Sequence, residues 1–326
     1  MFVNWDSKVL KSIEPVINNL KFITIDLEKL NIEAKRLAEY DYSLPKATVL
    51  FINPELYIRK NMFINTLNFA FTDFKTSIKY QIKNKDGEYS DTDAMVYQID
   101  QAIENEIPIL DGSFMAELTE KQFHKIFSAN IVMPMYSEKI STLNKVGEIL
   151  CEEFKGDWLN FIKAGPKKLY HEGEGLIERL IFYFKRFDDY SNYNNQSIYF
   201  LKLAQLAFWG IHRELSSSKY FSIEDMENMT AFADYIIPVA LNQMLITAYS
   251  PELINKISHG EMIEKDSEEE IEIRAVTLFV TAKLTDAINQ LKSQEEKIII
   301  PQLDFRLWKE FHANDEPHHL TKTIMY

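Results

Sequence analysis

The sequence predicts a mostly α-helical protein with a small β-hairpin in its N-terminal part. Apolar residues recur at helical spacing through most of the 326 residues. Helix-start signals recur as well, such as Asn53-Pro54-Glu55, which offers a cap, a proline at the first position and an acid in the first turn. Strand-like alternation joined by turn chemistry stands out once, at Ser77-Ile78-Lys79-Tyr80-Gln81-Ile82, Lys83-Asn84-Lys85-Asp86-Gly87 and Glu88-Tyr89-Ser90.

In chain order, Asp6 to Leu20 and Leu27 to Glu39 read as amphipathic helices joined by the β-leaning Phe22-Ile23-Thr24-Ile25. The helix begun at Asn53 runs on through Leu67-Asn68-Phe69-Ala70-Phe71, and the hairpin follows. Further helices are predicted over Asp93 to Glu104, Thr119 to Phe127, Ser137 to Phe154, Gly175 to Phe184 and Gln196 to Leu215. Ser222-Ile223-Glu224-Asp225 matches a capping box and predicts a helix leading to Phe232. Glu268 to Leu291 reads as a long helix with acids at its start, where the dipole favours them, and Pro301 to Phe311 as a short last one. The acidic run Asp266 to Glu272 is expected to be mostly a solvated helix start. An N-terminal helical lobe carrying the hairpin, 1–110, is expected against a helical core, 111–326.

Composition sets limits on function. A 46% hydrophobic chain of this length builds a large core, and the 22 Phe and 16 Tyr offer surfaces for a flat ligand. The net charge of −13 disfavours a polyanionic partner such as DNA or tRNA. Cys151, the only cysteine, lies in a helical stretch and reads as a small buried hydrophobe; an intrachain disulfide and a cysteine-built zinc site are excluded. No run approaches the roughly 18 apolar residues of a membrane span. The start Met1-Phe2-Val3-Asn4-Trp5-Asp6 lacks the pattern of a signal peptide, so the chain is expected to be cytoplasmic.

Phosphate-cradling glycine loops, nucleophile elbows and paired zinc-binding histidines are absent. His312, His318 and His319 fit no metal-ligand spacing and read as surface residues. What remains are charges in apolar runs. Asp234 sits in Phe232-Ala233-Asp234-Tyr235-Ile236-Ile237-Pro238, where a carboxylate loses hydration unless it has a partner or a task. Its plain alternative is a helix cap. Asp304 precedes the aromatic Phe305 in Ile300 to Trp308, and is either a cap or a pocket acid beside a stacking face. Lys202 lies in Tyr199-Phe200-Leu201-Lys202-Leu203-Ala204-Gln205-Leu206 and either snorkels outward or points inward at an anion such as a substrate phosphate.

The run Phe232 to Pro238 resembles the Phe-Ala-Asp-Tyr-Arg-X-Pro motif of the queuosine 5′-phosphate N-glycosylases (hydrolases), the queuosine salvage family. Thr66-Leu67-Asn68-Phe69-Ala70-Phe71, Met133-Pro134-Met135, Leu143-Asn144-Lys145-Val146-Gly147 and Phe154-Lys155-Gly156 follow other motifs of that family in order. So do Lys202-Leu203-Ala204-Gln205, Gly260-Glu261-Met262, Glu270-Ile271-Glu272-Ile273-Arg274 and the tail His319 to Tyr326. The likeness runs from about residue 20 to the C-terminus.

The resemblance implies a core similar to helix-hairpin-helix DNA glycosylases and hydrolysis of queuosine 5′-monophosphate to queuine and ribose 5-phosphate, without a metal or organic cofactor. It implies Asp234 as the catalytic acid, Phe232 at the base, Asp304 and Phe305 in the queuine pocket and Lys202 at the phosphate. The chain departs from the family pattern at several places. Lys309 stands where a second pocket Asp is common, Phe305 replaces a Tyr, and Ile236 and Leu203 replace arginines. No histidine precedes His124, and the Tyr-Trp-Ser-Leu start of the helix after the hairpin is missing. These departures leave a related deazapurine nucleotide as an alternative substrate. A nucleic-acid glycosylase and a non-enzymatic helical interaction protein are the readings from other classes.

Overall fold

The computed structural model of the protein describes residues 2–43, 53–85, 87–218, 220–312 and 316–326. It is mostly α-helical, with three two-stranded antiparallel ladders among the described residues. The helix Glu268–Leu291 organises the rest. Ile271, Ala275, Leu278 and Ala282 on one face join a large core, while Ile273, Val276, Val280, Leu284 and Ile288 on another join a second. A helix apolar on opposite faces belongs inside. Its buried threonines satisfy their hydroxyls locally: Thr277, Thr281 and Thr285 each donate to the carbonyl four residues back at 2.7–2.8 Å.

The larger core gathers residues of Pro54–Leu67, Asp91–Glu104, Tyr136–Phe154, Trp158–Lys163 and Lys202–Leu215. Asn53 caps the first of these by accepting from the Glu55 and Leu56 amides, and Pro54 follows in the first turn. That helix packs closely on Lys202–Leu215, where Asn61 donates to the Ala207 carbonyl at 2.7 Å. A Cβ on Gly210 would meet the Asn61 amide oxygen at 2.5 Å, so any larger residue there would push the Asn61 side chain aside. Buried cations cap the other end. Lys139 donates to the Leu67 and Phe69 carbonyls, and Arg186 to that of Thr66.

The second core joins Leu27–Ala38, Ile236–Gln243, Pro251–Ser258 and Ile300–Phe311 against the long helix. The β-leaning segment after residue 20 is strand Ile23–Ile25, and its partner Thr247–Tyr249 lies far along the chain. Glu272 pins it: its carboxylate accepts from the amides of Lys21, Phe22 and Ile23 at 2.7–2.9 Å.

Several sequence expectations are corrected. Asp6 to Leu20 holds two short helices, Lys8–Ser12 and Glu14–Ile17, with Pro15 opening the second. Gln196–Tyr199 is a strand, paired with Tyr190–Tyr193 through Asn194 and Asn195 at φ 49° and 61°. The helix begins only at Lys202. Ser222 to Asp225 opens a single 3-10 turn, Met226–Asn228, because Asp225 spends its carboxylate on the Leu169 and Tyr170 amides. The chain from Met229 to Asp234 is not helical. Glu270 and Glu272 are buried rather than solvated, whereas Cys151 is exposed. The N-terminal hairpin is shorter than predicted, Gln81–Asn84 with Gly87–Ser90. No described helix is long and apolar enough to cross a membrane.

Candidate active site

The segment carrying Asp234 crosses from one core to the other, with Phe232 and Ala233 in the first and Ile237 in the second. Being non-helical, it must find hydrogen bonds outside itself. Gln205 of the Lys202–Leu215 helix takes the Thr230 amide at 2.7 Å and donates to its hydroxyl at 2.9 Å. The Phe232 amide donates to Asp304 Oδ2 at 2.8 Å, and Arg274 Nε donates to the Ala233 carbonyl at 3.1 Å. The Asp234 amide then turns back onto the Phe232 carbonyl at 2.7 Å.

Among the described residues this leaves the Asp234 carboxylate with two partners. Oδ1 accepts from the Ile236 amide at 2.9 Å, closing a local turn just before the helix Ile236–Gln243, whose N-cap is Tyr235. Oδ2 lies 3.6 Å from Lys202 Nζ, with side-chain exposures of 13% and 8%, so the pair is shielded yet touched by solvent. Asp234 is therefore not the cap of that helix; it joins a backbone turn bond and an ion pair in one group. Lys202 points inward instead of snorkelling, and its Nζ makes no hydrogen bond among the described residues. Burial lowers its pKa, opposed by Asp234. An ammonium with open donors beside a fixed carboxylate can take a further anion.

Asp304 behaves differently. It is not a cap but a buried residue inside the helix Ile300–Phe311. Burial drives its pKa well above the carboxylate range; the Phe232 amide opposes this and the Asp234 charge adds to it. Two neighbouring carboxyl groups thus differ, one ion-paired with a lysine and one buried with its pKa raised. Phe305, next in the helix, is half-buried; its ring lies 5.0 Å from the Arg213 guanidinium and 6.3 Å from Trp308. Lys309 is exposed on the same helix.

Sequence reasoning assigned no role to the charges behind this pair. Asp189 and Arg274 form a buried two-pronged ion pair at 2.9 and 2.6 Å. Asp189 also accepts the Lys202 amide at 3.2 Å. Glu270 takes the Tyr326 hydroxyl at 3.0 Å, and His319, expected at the surface, is buried beside them with its pKa lowered by burial to about 3. The available signal was Glu270 and Arg274, four residues apart within an apolar helix. Two surface depressions of about 510 Å³ lie elsewhere; neither is lined by Lys202, Phe232, Asp234, Asp304 or Phe305.

The profile of the family described as queuosine salvage protein matches residues 53–326, which include every residue of this site. The chain belongs to that family. A relative from Sphaerobacter thermophilus, named queuosine 5′-phosphate N-glycosylase/hydrolase, is 28% identical over 81% of this chain and 79% of its own. Relatives of the same name from Mus musculus and Dictyostelium discoideum are each 27% identical. They cover 81% and 83% of this chain and 80% and 79% of their own. Within this family the chain carries the ion-paired Asp234 and Lys202 on motifs that gave the resemblance.

Proposed function

We propose that the chain hydrolyses the N-glycosidic bond of queuosine 5′-monophosphate, releasing queuine and ribose 5-phosphate. The observation that carries the reading is the pair of unlike carboxyl groups, Asp234 ion-paired with Lys202 and Asp304 buried against the Phe232 amide, at the junction of the two cores. N-glycoside cleavage develops positive charge on the sugar. A fixed carboxylate stabilises that charge more than it stabilises the neutral ground state.

Asp234 takes this part and orients the attacking water. The bond from C1′ to the base nitrogen breaks, the water oxygen bonds to C1′, and the water proton passes to Asp234 or solvent. The departing nitrogen receives a proton, and Asp304, whose pKa burial raises well above the carboxylate range, is the donor assigned to it. Phe232 and Phe305 bracket the base. The open donors of Lys202 meet the 5′-phosphate, and queuine's cationic amine suits an acidic pocket. The glycosylase-like core, a free nucleotide rather than nucleic acid as substrate, and a cytoplasmic setting complete the proposal. The net charge of −13 supports the second of these. A related deazapurine nucleotide is the second reading, favoured by Lys309 and Phe305 at positions where the family pattern has Asp and Tyr.

The test is to incubate the protein with queuosine and with its 5′-monophosphate, measuring free queuine. The monophosphate is expected to be cleaved with kcat/KM at least about tenfold higher, since a charged hydrogen bond contributes about 1.5–3 kcal/mol. Equal values remove Lys202 from the phosphate. No queuine from either substrate overturns the assignment.

A further inference from the structure

Lys202 and Asp234 come from segments 32 residues apart, and their 3.6 Å separation is set by something other than their own attraction. An exposed pair of this length would wander. Arg274 links the two segments, bonding backbone on the Asp234 side and the Asp189 carboxylate on the Lys202 side. Its Nε donates to the Ala233 carbonyl, one residue before Asp234, at 3.1 Å. Its two terminal nitrogens grip Asp189, whose Oδ2 accepts the Lys202 amide and whose carbonyl accepts those of Phe200 and Leu201. Leu201 sits at φ 53°, a conformation unfavourable for a side chain of its kind and held by these bonds.

The guanidinium is itself fixed from both faces, with Phe200 at 4.0 Å and the Tyr326 ring at 4.4 Å. Glu270 holds the Tyr326 hydroxyl at 3.0 Å. We infer that Arg274 is the positioning residue of this site, a rigid strut that sets the Lys202–Asp234 geometry, and that Tyr326 is the cover that keeps the strut in place. Only a guanidinium serves, because three nitrogens must bond two segments at once. The strut bonds the segment of Asp234 directly and reaches Lys202 only through the Asp189 carboxylate, so its loss falls on turnover more than on the phosphate contact. A misplacement near 1 Å is enough to cost up to about a hundredfold in rate.

The inference rests on the glycosidase reading, and the experiment separates the two. Wild type, Asp234→Asn, Arg274→Lys and Tyr326→Ala are assayed on queuosine 5′-monophosphate, with the folded fraction of each measured by circular dichroism. Arg274→Lys keeps the charge and loses the fork. Its kcat per folded molecule is expected to fall at least about tenfold while KM stays within about threefold. Tyr326→Ala is expected to show the same split at smaller amplitude, and it decides the matter if Arg274→Lys does not fold. Unchanged kcat per folded molecule, or a KM rise that accounts for the whole loss, overturns the strut while the wild-type activity still supports the reaction. An inert wild type overturns both.

Discussion

Asp234 and Asp304 are the same kind of group with different partners: Asp234 pairs with Lys202, whereas Asp304 is buried against the Phe232 amide. Asp304 has one charge-free partner, the Phe232 amide, and burial raises its pKa well above the usual range. A carboxyl whose pKa is raised on folding is accommodated without penalty below the unfolded value of about 4. The penalty then grows with pH until the folded pKa is passed. Asp304→Asn keeps an acceptor for the Phe232 amide but has no proton to lose. Its thermal stability relative to wild type is therefore expected to be unchanged near pH 4 and to improve as pH rises. A constant difference across that range contradicts an acid buried in its neutral form. Asp234, Asp304 and Lys202 were visible in the sequence because each interrupts an apolar run. Asp189 and Arg274 were not, because the bonds that give them meaning span 85 residues. Only folding reveals that the two charges meet, and the Tyr326 ring over Arg274 is hidden in the same way.

At the level of elements, periodicity located helices well where one face is apolar, as in Tyr136–Phe154 and Ile300–Phe311. It failed where two-residue turn chemistry was overlooked. Asn194 and Asn195 adopt the left-handed conformation that a tight hairpin needs, and the strand after them, Gln196–Tyr199, has the sequence pattern of a helix start. Asn195→Val is expected to destabilise the fold by about 1–2 kcal/mol, because a β-branched residue resists that conformation. Denaturant unfolding measures it, and an unchanged midpoint argues against the hairpin. Glu272 makes the stronger case. Its carboxylate serves three amides of the segment entering strand Ile23–Ile25. Glu272→Ala leaves those donors unmet beside the second core and is expected to lower stability by about 3 kcal/mol. Turnover per folded molecule stays near wild type, because Glu272 contacts none of the site residues. A loss of less than 0.5 kcal/mol, in the range of a surface substitution, contradicts this role.

For the whole molecule, the long helix divides two cores, and the candidate site residues gather where the chain crosses between them. Helical content and the position of that helix were legible from pattern alone. The crossing was not, since Phe232 and Ile237 look alike in sequence and differ only in the core they enter. A net charge of −13 with buried cations at one place favours a small anion over a polyanion. Queuosine 5′-monophosphate at a hundred times its dissociation constant is expected to stabilise the fold by about 2.7 kcal/mol. That gain should persist in Asp234→Asn, whose side chain keeps an acceptor for the Ile236 amide. The most direct test of the account is the rate of queuine release from queuosine 5′-monophosphate by that variant, with ligand stabilisation measured on the same sample. The prediction is a loss of roughly 10²–10⁴-fold in kcat with binding retained. Turnover equal to wild type contradicts the assignment of Asp234 as the acid that carries the reaction.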